Sequence, residues 1–405
     1  PLISESGIKT KEELLDINKK TKIITFLIGE SLLKNLKNKQ AHFYEPGLKQ
    51  NLKKIITNKK FSFFNKIPKN TNISTYIITV GTPLDAQKKI ITKYIVKTCN
   101  EIAAVLKNND IVITQALTFV ATCNALHHMG AEPAFVDVSP VSLGLCPKAL
   151  SAFLEQHAVL TESGPVHKTT KQRFQAVVPM HTFGHPVELD ELVRVCNEWR
   201  IALVEDAAES LGSFYKGKHT GTLGDFGAIS FNGNKIITTG GGGMVLCKTL
   251  ASGQHTKHIT TTAKVPHPYE FFHDEAGFNY RMPNLNAALG CAQMENLAEF
   301  IDNKRQLAKL YVDFFKGSDF KFVTEPSYAK SNYWLNAIIC PNPSEREKLL
   351  KQTNADGVMT RPIWQLMHRL PMFEKAMRGD LSHSEFVEAH LVNIPSSPVK
   401  SLGKL

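Results

Sequence analysis

From residue 111 onward the chain alternates short apolar runs with amphipathic stretches, and this alternation limits its fold more than any other feature. Residues 111–114, 133–138, 175–180, 201–205 and 226–231 read as buried strands. Residues 119–129 and 187–200 read as helices, with Leu189, Leu192, Val193 and Cys196 on one face of the second. Strands and helices in this order imply a mostly parallel sheet wrapped by helices, an α/β fold. A long helical pattern covers 283–315, with Pro283 suited to the first turn. The remainder, to Leu405, is expected to form a smaller α+β domain.

Within this frame one stretch stands out chemically. After the apolar run at Gly227-Ala-Ile-Ser-Phe comes a polar turn with a single lysine, Lys235, and then four consecutive glycines, Gly240 to Gly243. An earlier strand, 201–205, runs into Asp206. A reactive lysine together with an acid at a strand end is the pair that pyridoxal phosphate chemistry requires. The lysine forms the Schiff base, and the acid keeps the pyridine nitrogen protonated. Taken alone, the lysine could equally be a surface turn residue, and Asp206 a helix N-cap.

Composition narrows the alternatives. The net charge of +11 lies entirely in residues 1–110, which hold 20 Lys, no Arg and 9 acids; residues 111–405 are balanced at 28 basic and 28 acidic residues. The lysines are spread out and lack the Arg and interleaved aromatics that nucleic-acid recognition favours, so no nucleic-acid partner is expected. No apolar run approaches the roughly 20 residues of a membrane span, and the first residues lack a signal-peptide pattern. The chain begins at Pro1 rather than Met, so its natural start is expected upstream. Seven scattered cysteines without a CxxC pair point to a reducing, cytoplasmic setting and away from a disulfide framework. His255 and His258 could share a metal, but no acid or cysteine accompanies them at ligand spacing, so no metal site is expected.

The first quarter has a different character. It contains the turn-like Ala41-His-Phe-Tyr-Glu-Pro-Gly-Leu48 and the strand-like run at 76–80, stopped by Gly81 and Pro83. A helical pattern follows over 94–106. Residues 16–113 resemble the late part of the NAD-binding domain of nucleotide-sugar 6-dehydrogenases, an atypical Rossmann-like fragment. That family opens on a GxGxxG turn holding the pyrophosphate. Neither this turn nor the catalytic cysteine segment is present, which argues against NAD-dependent hydride transfer.

Residues 111–405 resemble the DegT/StrS-type sugar-nucleotide aminotransferases, of fold-type I (aspartate aminotransferase-like). The resemblance runs through Gln115-Ala-Leu-Thr-Phe-Val-Ala-Thr-Cys-Asn-Ala125, Val204-Glu-Asp-Ala-Ala-Glu-Ser-Leu-Gly212, the lysine segment, Gly277-Phe-Asn-Tyr-Arg-Met-Pro-Asn-Leu-Asn-Ala-Ala-Leu-Gly290 and Arg361-Pro-Ile-Trp364. It is most similar to the branch that aminates keto sugars toward legionaminic-type nonulosonic acids. The resemblance implies that Lys235 is the catalytic lysine and moves the proton, and that Asp206 pairs with the pyridinium nitrogen. It also implies that Glu209 contacts the ring hydroxyl, Phe119 stacks on the ring and Ser230 binds the cofactor phosphate. Asn279 and Arg281 would reach that phosphate from the partner subunit of a homodimer, and His181, just past a strand end, would line the substrate cleft or else serve as a buried structural histidine. The substrates implied are an amino-acid donor, glutamate, and a 4-keto sugar nucleotide. The expected domains are 1–110, the dehydrogenase-like fragment; 111–295, the cofactor-binding large domain; and 296–405, the small domain.

One part of the family pattern is missing. A Gly-Thr/Ser-x-Ala segment at a helix N-terminus, whose N–H groups cradle the cofactor phosphate, is not recognisable. Gly81-Thr82 is superficially similar, but Pro83 removes a donor. The rival reading is therefore an inactive or binding-only chimera, a dehydrogenase fragment joined to an aminotransferase without its first segment.

Overall fold

The computed structural model describes residues 110–398 and three strands before them, Leu2–Ser4, Leu27–Ile28 and Tyr76–Thr79. The turn at 41–48, the Gly81-Thr82-Pro83 segment and the helix expected over 94–106 lie outside the described residues. The chain divides into two compact units, Pro1–Asn108 and Asn109–Leu405. In the first, the three strands form a parallel sheet with Tyr76–Thr79 in the middle.

The second unit is built on β1 (Ile111–Gln115), β2 (Glu132–Val136), β3 (Phe174–Val178), β4 (Ala202–Asp206), β5 (Phe226–Ser230) and β6 (Gly243–Cys247). Its helices are α1 (Val120–His128), α2 (Pro147–His157), α3 (Leu189–Trp199), α4 (Leu250–Thr260), α5 (Asn284–Glu295) and α6 (Leu297–Phe315). Beyond them come β7 (Lys321–Phe322), β8 (Asn336–Ile339), α7 (Pro343–Ala355), β9 (Arg361–Pro362), β10 (Met377–Arg378), α8 (Ser382–His390) and β11 (Leu391–Ile394). The central sheet has the order β6-β5-β4-β3-β1-β2-β10. Its pairings are parallel except for β6, which runs antiparallel beside β5 at the margin.

The reason for near-continuous apolar strands is burial on both faces. Ile111 and Ile113 pack with Leu150, Phe153 and Leu154 of α2 and Leu189, Leu192 and Val195 of α3. Val112 points the other way, to Leu126 of α1 and Val178. Each such buried aliphatic or aromatic side chain contributes about 1.5–3 kcal/mol. The sharp stop of α3 comes at Arg200, whose left-handed backbone (φ 55°) turns the chain into β4.

The helical pattern over 283–315 is two helices rather than one. Asn296, with φ −102° and ψ 1°, ends α5, and its carbonyl accepts the Phe300 N–H at the start of α6. Asparagine competes for such a break because its side chain bonds nearby backbone, here donating to Ala292 O at 2.8 Å. The C-terminal part forms an antiparallel sheet, β7-β8-β11-β9, with Ile338, Cys340, Val392 and Ile394 packed against Tyr311 and Phe315 of α6 and Leu349 and Leu350 of α7. One strand of this part, β10, instead extends the central sheet beside β2. Among the described residues no helix is long and apolar enough to cross a membrane.

Candidate active site

Parallel sheets gather their ligands at the carboxyl ends of the strands. Asp206, the last residue of β4, sits there. Its backbone is fixed on one side, where its N–H donates to Pro179 O (2.8 Å) and its carbonyl accepts from His181 N–H (3.1 Å). Its carboxylate accepts from the Thr122 hydroxyl of α1 (2.6 Å) and from the Ala208 N–H (3.1 Å). The negative charge is felt nearby. Burial, together with Asp206, pushes the Cys123 thiol up to about 12.

Glu209 follows in the loop after β4 and is buried. One oxygen accepts the Phe183 N–H at 2.9 Å, and the other lies 3.7 Å from Lys235 Nζ. Phe183 reaches this bond with a left-handed backbone, φ 58°, a conformation that a bulky residue adopts only where its surroundings hold it. Burial, reinforced by Asp206, pushes the Glu209 carboxyl up to about 8, against the opposing pull of Lys235 and the Phe183 N–H.

Lys235 occupies the turn after β5, where its N–H donates to Asn232 O at 3.1 Å. Apolar anchors on both sides, Phe231 before and Ile236 and Ile237 after, bury in one cluster with Ala207 and Trp334. The lysine side chain is only 11 % exposed. Its Nζ lies 4.0 Å from the centre of the Trp334 ring, and the Trp334 indole N–H donates to Asn234 O at 2.8 Å. Trp334 thus grips the turn twice, through the ring face and through the N–H. The glycine run closes the loop behind it. Gly240 and Gly242 have φ of +80° and +105°, the left-handed region glycine enters freely, and Phe231 N–H donates to Gly242 O at 3.0 Å.

The other expected residues divide. Phe119, the N-cap residue of α1, is 47 % exposed and its ring lies 6.0 Å from that of Trp364. Trp364 in turn lies 5.6 Å from Phe183, giving a continuous aromatic wall beside Glu209. Ser230 ends β5 half-buried, its hydroxyl accepting from Asn232 N–H at 3.2 Å. Asn279 and Arg281 are exposed, lining a separate hollow of about 1250 Å³ with Gly241–Gly243, Met244 and Pro283. No residue of the Asp206–Glu209–Lys235 group borders this hollow.

His181, expected in the substrate cleft, is fully buried. Its Nδ1 accepts the Val187 N–H (3.2 Å), so Nε2 carries the proton and donates to Glu205 at 3.0 Å. Both ring nitrogens are therefore engaged inside the fold. Burial opposes ionisation of Glu205, but His181 and the N–H groups of Gly224 and Gly221 outweigh it and hold the carboxyl below its usual range. Thr122, Phe183, Trp334 and Trp364 were not singled out from sequence. Two of them had a signal, Thr122 inside the Gln115–Ala125 stretch and Trp364 as the end of the Arg361-Pro-Ile-Trp364 motif.

Tested against pyridoxal phosphate, the side chains fit its ring. A strand-end acid, a mostly buried amine beside a second acid, and an exposed aromatic lie on adjoining elements. For the phosphate, the described residues offer the Ser230 hydroxyl, and Asn279 and Arg281 only across the second hollow.

Comparison with known proteins agrees with this chemistry. The profile of the DegT/DnrJ/EryC1/StrS aminotransferase family matches residues 101–402. The NAD-binding-domain profile of the UDP-glucose/GDP-mannose dehydrogenase family matches residues 14–151, so both cover 101–151. EpsN of Bacillus subtilis (strain 168) is 34% identical over 273 residues, 67% of this chain and 68% of EpsN. GDP-perosamine synthase of Escherichia coli O157:H7 is 31% identical over 301 residues, 72% of this chain and 75% of that enzyme. Among solved structures, Helicobacter pylori PseC, an aminotransferase involved in the biosynthesis of pseudoaminic acid, has a TM-score of 0.65 at 20% identity, over 73% of this chain and 77% of PseC. The architecture is that of the fold-type I transferases.

Proposed function

This chain belongs to the DegT/DnrJ/EryC1/StrS aminotransferase family, and on that premise we propose that it moves an amino group from an amino acid, glutamate, to a 4-keto sugar nucleotide in surface-polysaccharide or nonulosonic-acid synthesis. The relatives named for GDP-perosamine and pseudoaminic acid synthesis support the substrate class. The observation that carries the reading is the Lys235 amine, mostly buried between the Trp334 ring and the Glu209 carboxyl beside the strand-end Asp206.

Bound pyridoxal phosphate supplies a carbonyl for amines and a ring that withdraws electrons. In this reading Asp206 holds the ring nitrogen's proton, its own orientation fixed by Thr122 and Ala208. Lys235 Nζ takes and returns the substrate proton. Phe119 covers one ring face, and Glu209 meets the ring hydroxyl, where a carboxyl raised to about 8 can donate. Ser230 takes the phosphate. Asn279 and Arg281 act across a homodimer interface. Exposed large apolar side chains on the two elements flanking Asn279 and Arg281, Met244, Leu285 and Leu289 among them, support such a partner. We assign the three domains at 1–110, 111–295 and 296–405, and the cytoplasm as the compartment.

One sequence observation favours a second reading, a binding-only chimera: the phosphate-cradling Gly-Thr/Ser-x-Ala segment is not recognisable. Purified chain incubated with pyridoxal phosphate and reduced with borohydride separates the two. A pyridoxyl group mapped to Lys235, with 2-oxoglutarate formed from glutamate when a 4-keto sugar nucleotide is added, supports the transferase. Freely dialysable cofactor and no label would sink it in favour of the chimera.

A further inference from the structure

Away from the strand ends, α4 carries His255 and His258 three residues apart, on one side of the helix. Along the chain no acid is near them; in space two are. His258 Nε2 lies 2.6 Å from Asp274 Oδ1 and 4.0 Å from Glu275 Oε1, and His255 Nδ1 lies 3.4 Å from the same Glu275 oxygen. Single ligand atoms of His258, Asp274 and Glu275 all fall within 4.8 Å of one another. Backbone bonds hold the approach. Ala263 N–H donates to His258 O (2.9 Å), Asp274 N–H to Ala263 O (3.3 Å) and Phe278 N–H to Ile259 O (2.6 Å). A short antiparallel pair, Lys264–Val265 with Phe272–His273, delivers the two acids to the last turns of the helix.

We propose that His255, His258, Asp274 and Glu275 form a zinc-type divalent-cation site. Two imidazoles and two carboxylates are a donor set that suits zinc, whereas calcium and magnesium demand six or more oxygens. Zinc–nitrogen and zinc–oxygen distances of about 2.0–2.1 Å in a tetrahedron put ligand atoms roughly 3.3 Å apart. His255 and Glu275 are 3.4 Å apart, and the separations of His258 from Asp274 and Glu275, 2.6 and 4.0 Å, bracket that spacing; His258, Asp274 and Glu275 form the compact trio, which His255 joins through Glu275. The ion takes the place of the hydrogen on His258 Nε2: a neutral ring then keeps its one proton on Nδ1, an imidazolium gives its second to solvent, and the two carboxylates balance the charge of the ion. The ion would tie α4 to the segment that runs on into Asn279 and Arg281. None of the four ligands belongs to the Asp206–Glu209–Lys235 site, so this site stands or falls separately from the transferase reading.

The test is calorimetric titration of the full, chelator-stripped chain with zinc, in two buffers of different ionisation enthalpy, beside H258A and the double variant H255A/E275Q. The expected result is one saturable equivalent, weakened at least about tenfold in each variant, together with a zinc-dependent rise in melting temperature that both variants lose. Cobalt substitution should give a spectrum without thiolate charge transfer. Unchanged affinity in both variants, a thiolate band placing the metal on cysteines, or no saturable binding overturns the proposal. H255A/E275Q alters side chains that are 61 % and 42 % exposed, so it remains informative if H258A is poorly folded.

Discussion

At the strand ends each candidate group is held by partners from several elements: Asp206 by Thr122 of α1, Glu209 by Phe183, Lys235 by Trp334. Further along, α4 and α5 bury no side chain at all, and Asn279 and Arg281 stand exposed between them. Both regions carry motif residues of one family, so the contrast is physical. The first region has its geometry fixed within one chain. The second presents large apolar side chains to solvent, Leu285 at 86 % exposure among them, as interaction surfaces do. The comparison teaches that a site read as one list of residues can divide into a part packed within the chain and a part that stands exposed, which the proposed homodimer would cover.

The sharpest way to break this contrast is Lys235→Ala. If the closed region holds the chemistry, amino transfer falls by at least about 10²–10⁴-fold, the contribution of a positioned proton-transfer group, and borohydride no longer fixes pyridoxal phosphate at this position. Unchanged turnover would remove the site from the strand ends. Trp334→Ala tests what holds the lysine. The loss of a buried aromatic should cost about 3–5 kcal/mol in urea unfolding, with the borohydride label on Lys235 reduced as well.

How far the sequence led follows the same divide. The five strands and two of the three helices from 111 to 231 were legible because burial on both faces writes itself as short apolar runs; α2, although its Leu150, Phe153 and Leu154 are buried, was not read. The break at Asn296 was not, since one polar residue inside a helical period carries no periodic signal. That Asp206 ends a strand and Lys235 lies in the turn after one was legible from their local motifs. Thr122 stood inside a quoted motif, but its partner did not show because the bond spans 84 residues, and Trp334 was hidden because its bond spans 100 and a lone Trp is indistinguishable from core in one dimension. The acids facing His258 were missed for the same reason.

For the open region, Leu285→Asp should weaken self-association by about 2 kcal/mol, roughly 30-fold in Kd, read by sedimentation equilibrium, while the melting temperature of the dilute chain stays put. An unaffected dimer would place the interface elsewhere.

The smallest effect per step is electrostatic. The Glu209 carboxyl, raised from 4.5 to about 8 by burial, binds a proton in the folded chain over a range where the unfolded chain has released it. Stability from this group is therefore present below pH 4.5 and lost as pH rises toward 8, by at most about 1.4 kcal/mol per pH unit. Without added cofactor, Glu209→Gln should flatten that slope, so that its melting temperature gains on the parent up to about pH 8 and no further. Parallel melting curves across the range would mean that Glu209 is ionised throughout.

The β1–α1–β2 unit has one more consequence. It is a parallel strand–helix–strand crossover, and it falls within residues 101–151, where the profiles of both families match. Such crossovers share one handedness across unrelated proteins. A genetic exchange that lands inside one therefore hands the growing chain from one ancestry to the other without altering strand direction or the side on which the helix packs. Such a module would serve as a neutral splice point, at which an inherited N-terminus could be exchanged while the downstream sheet keeps its order.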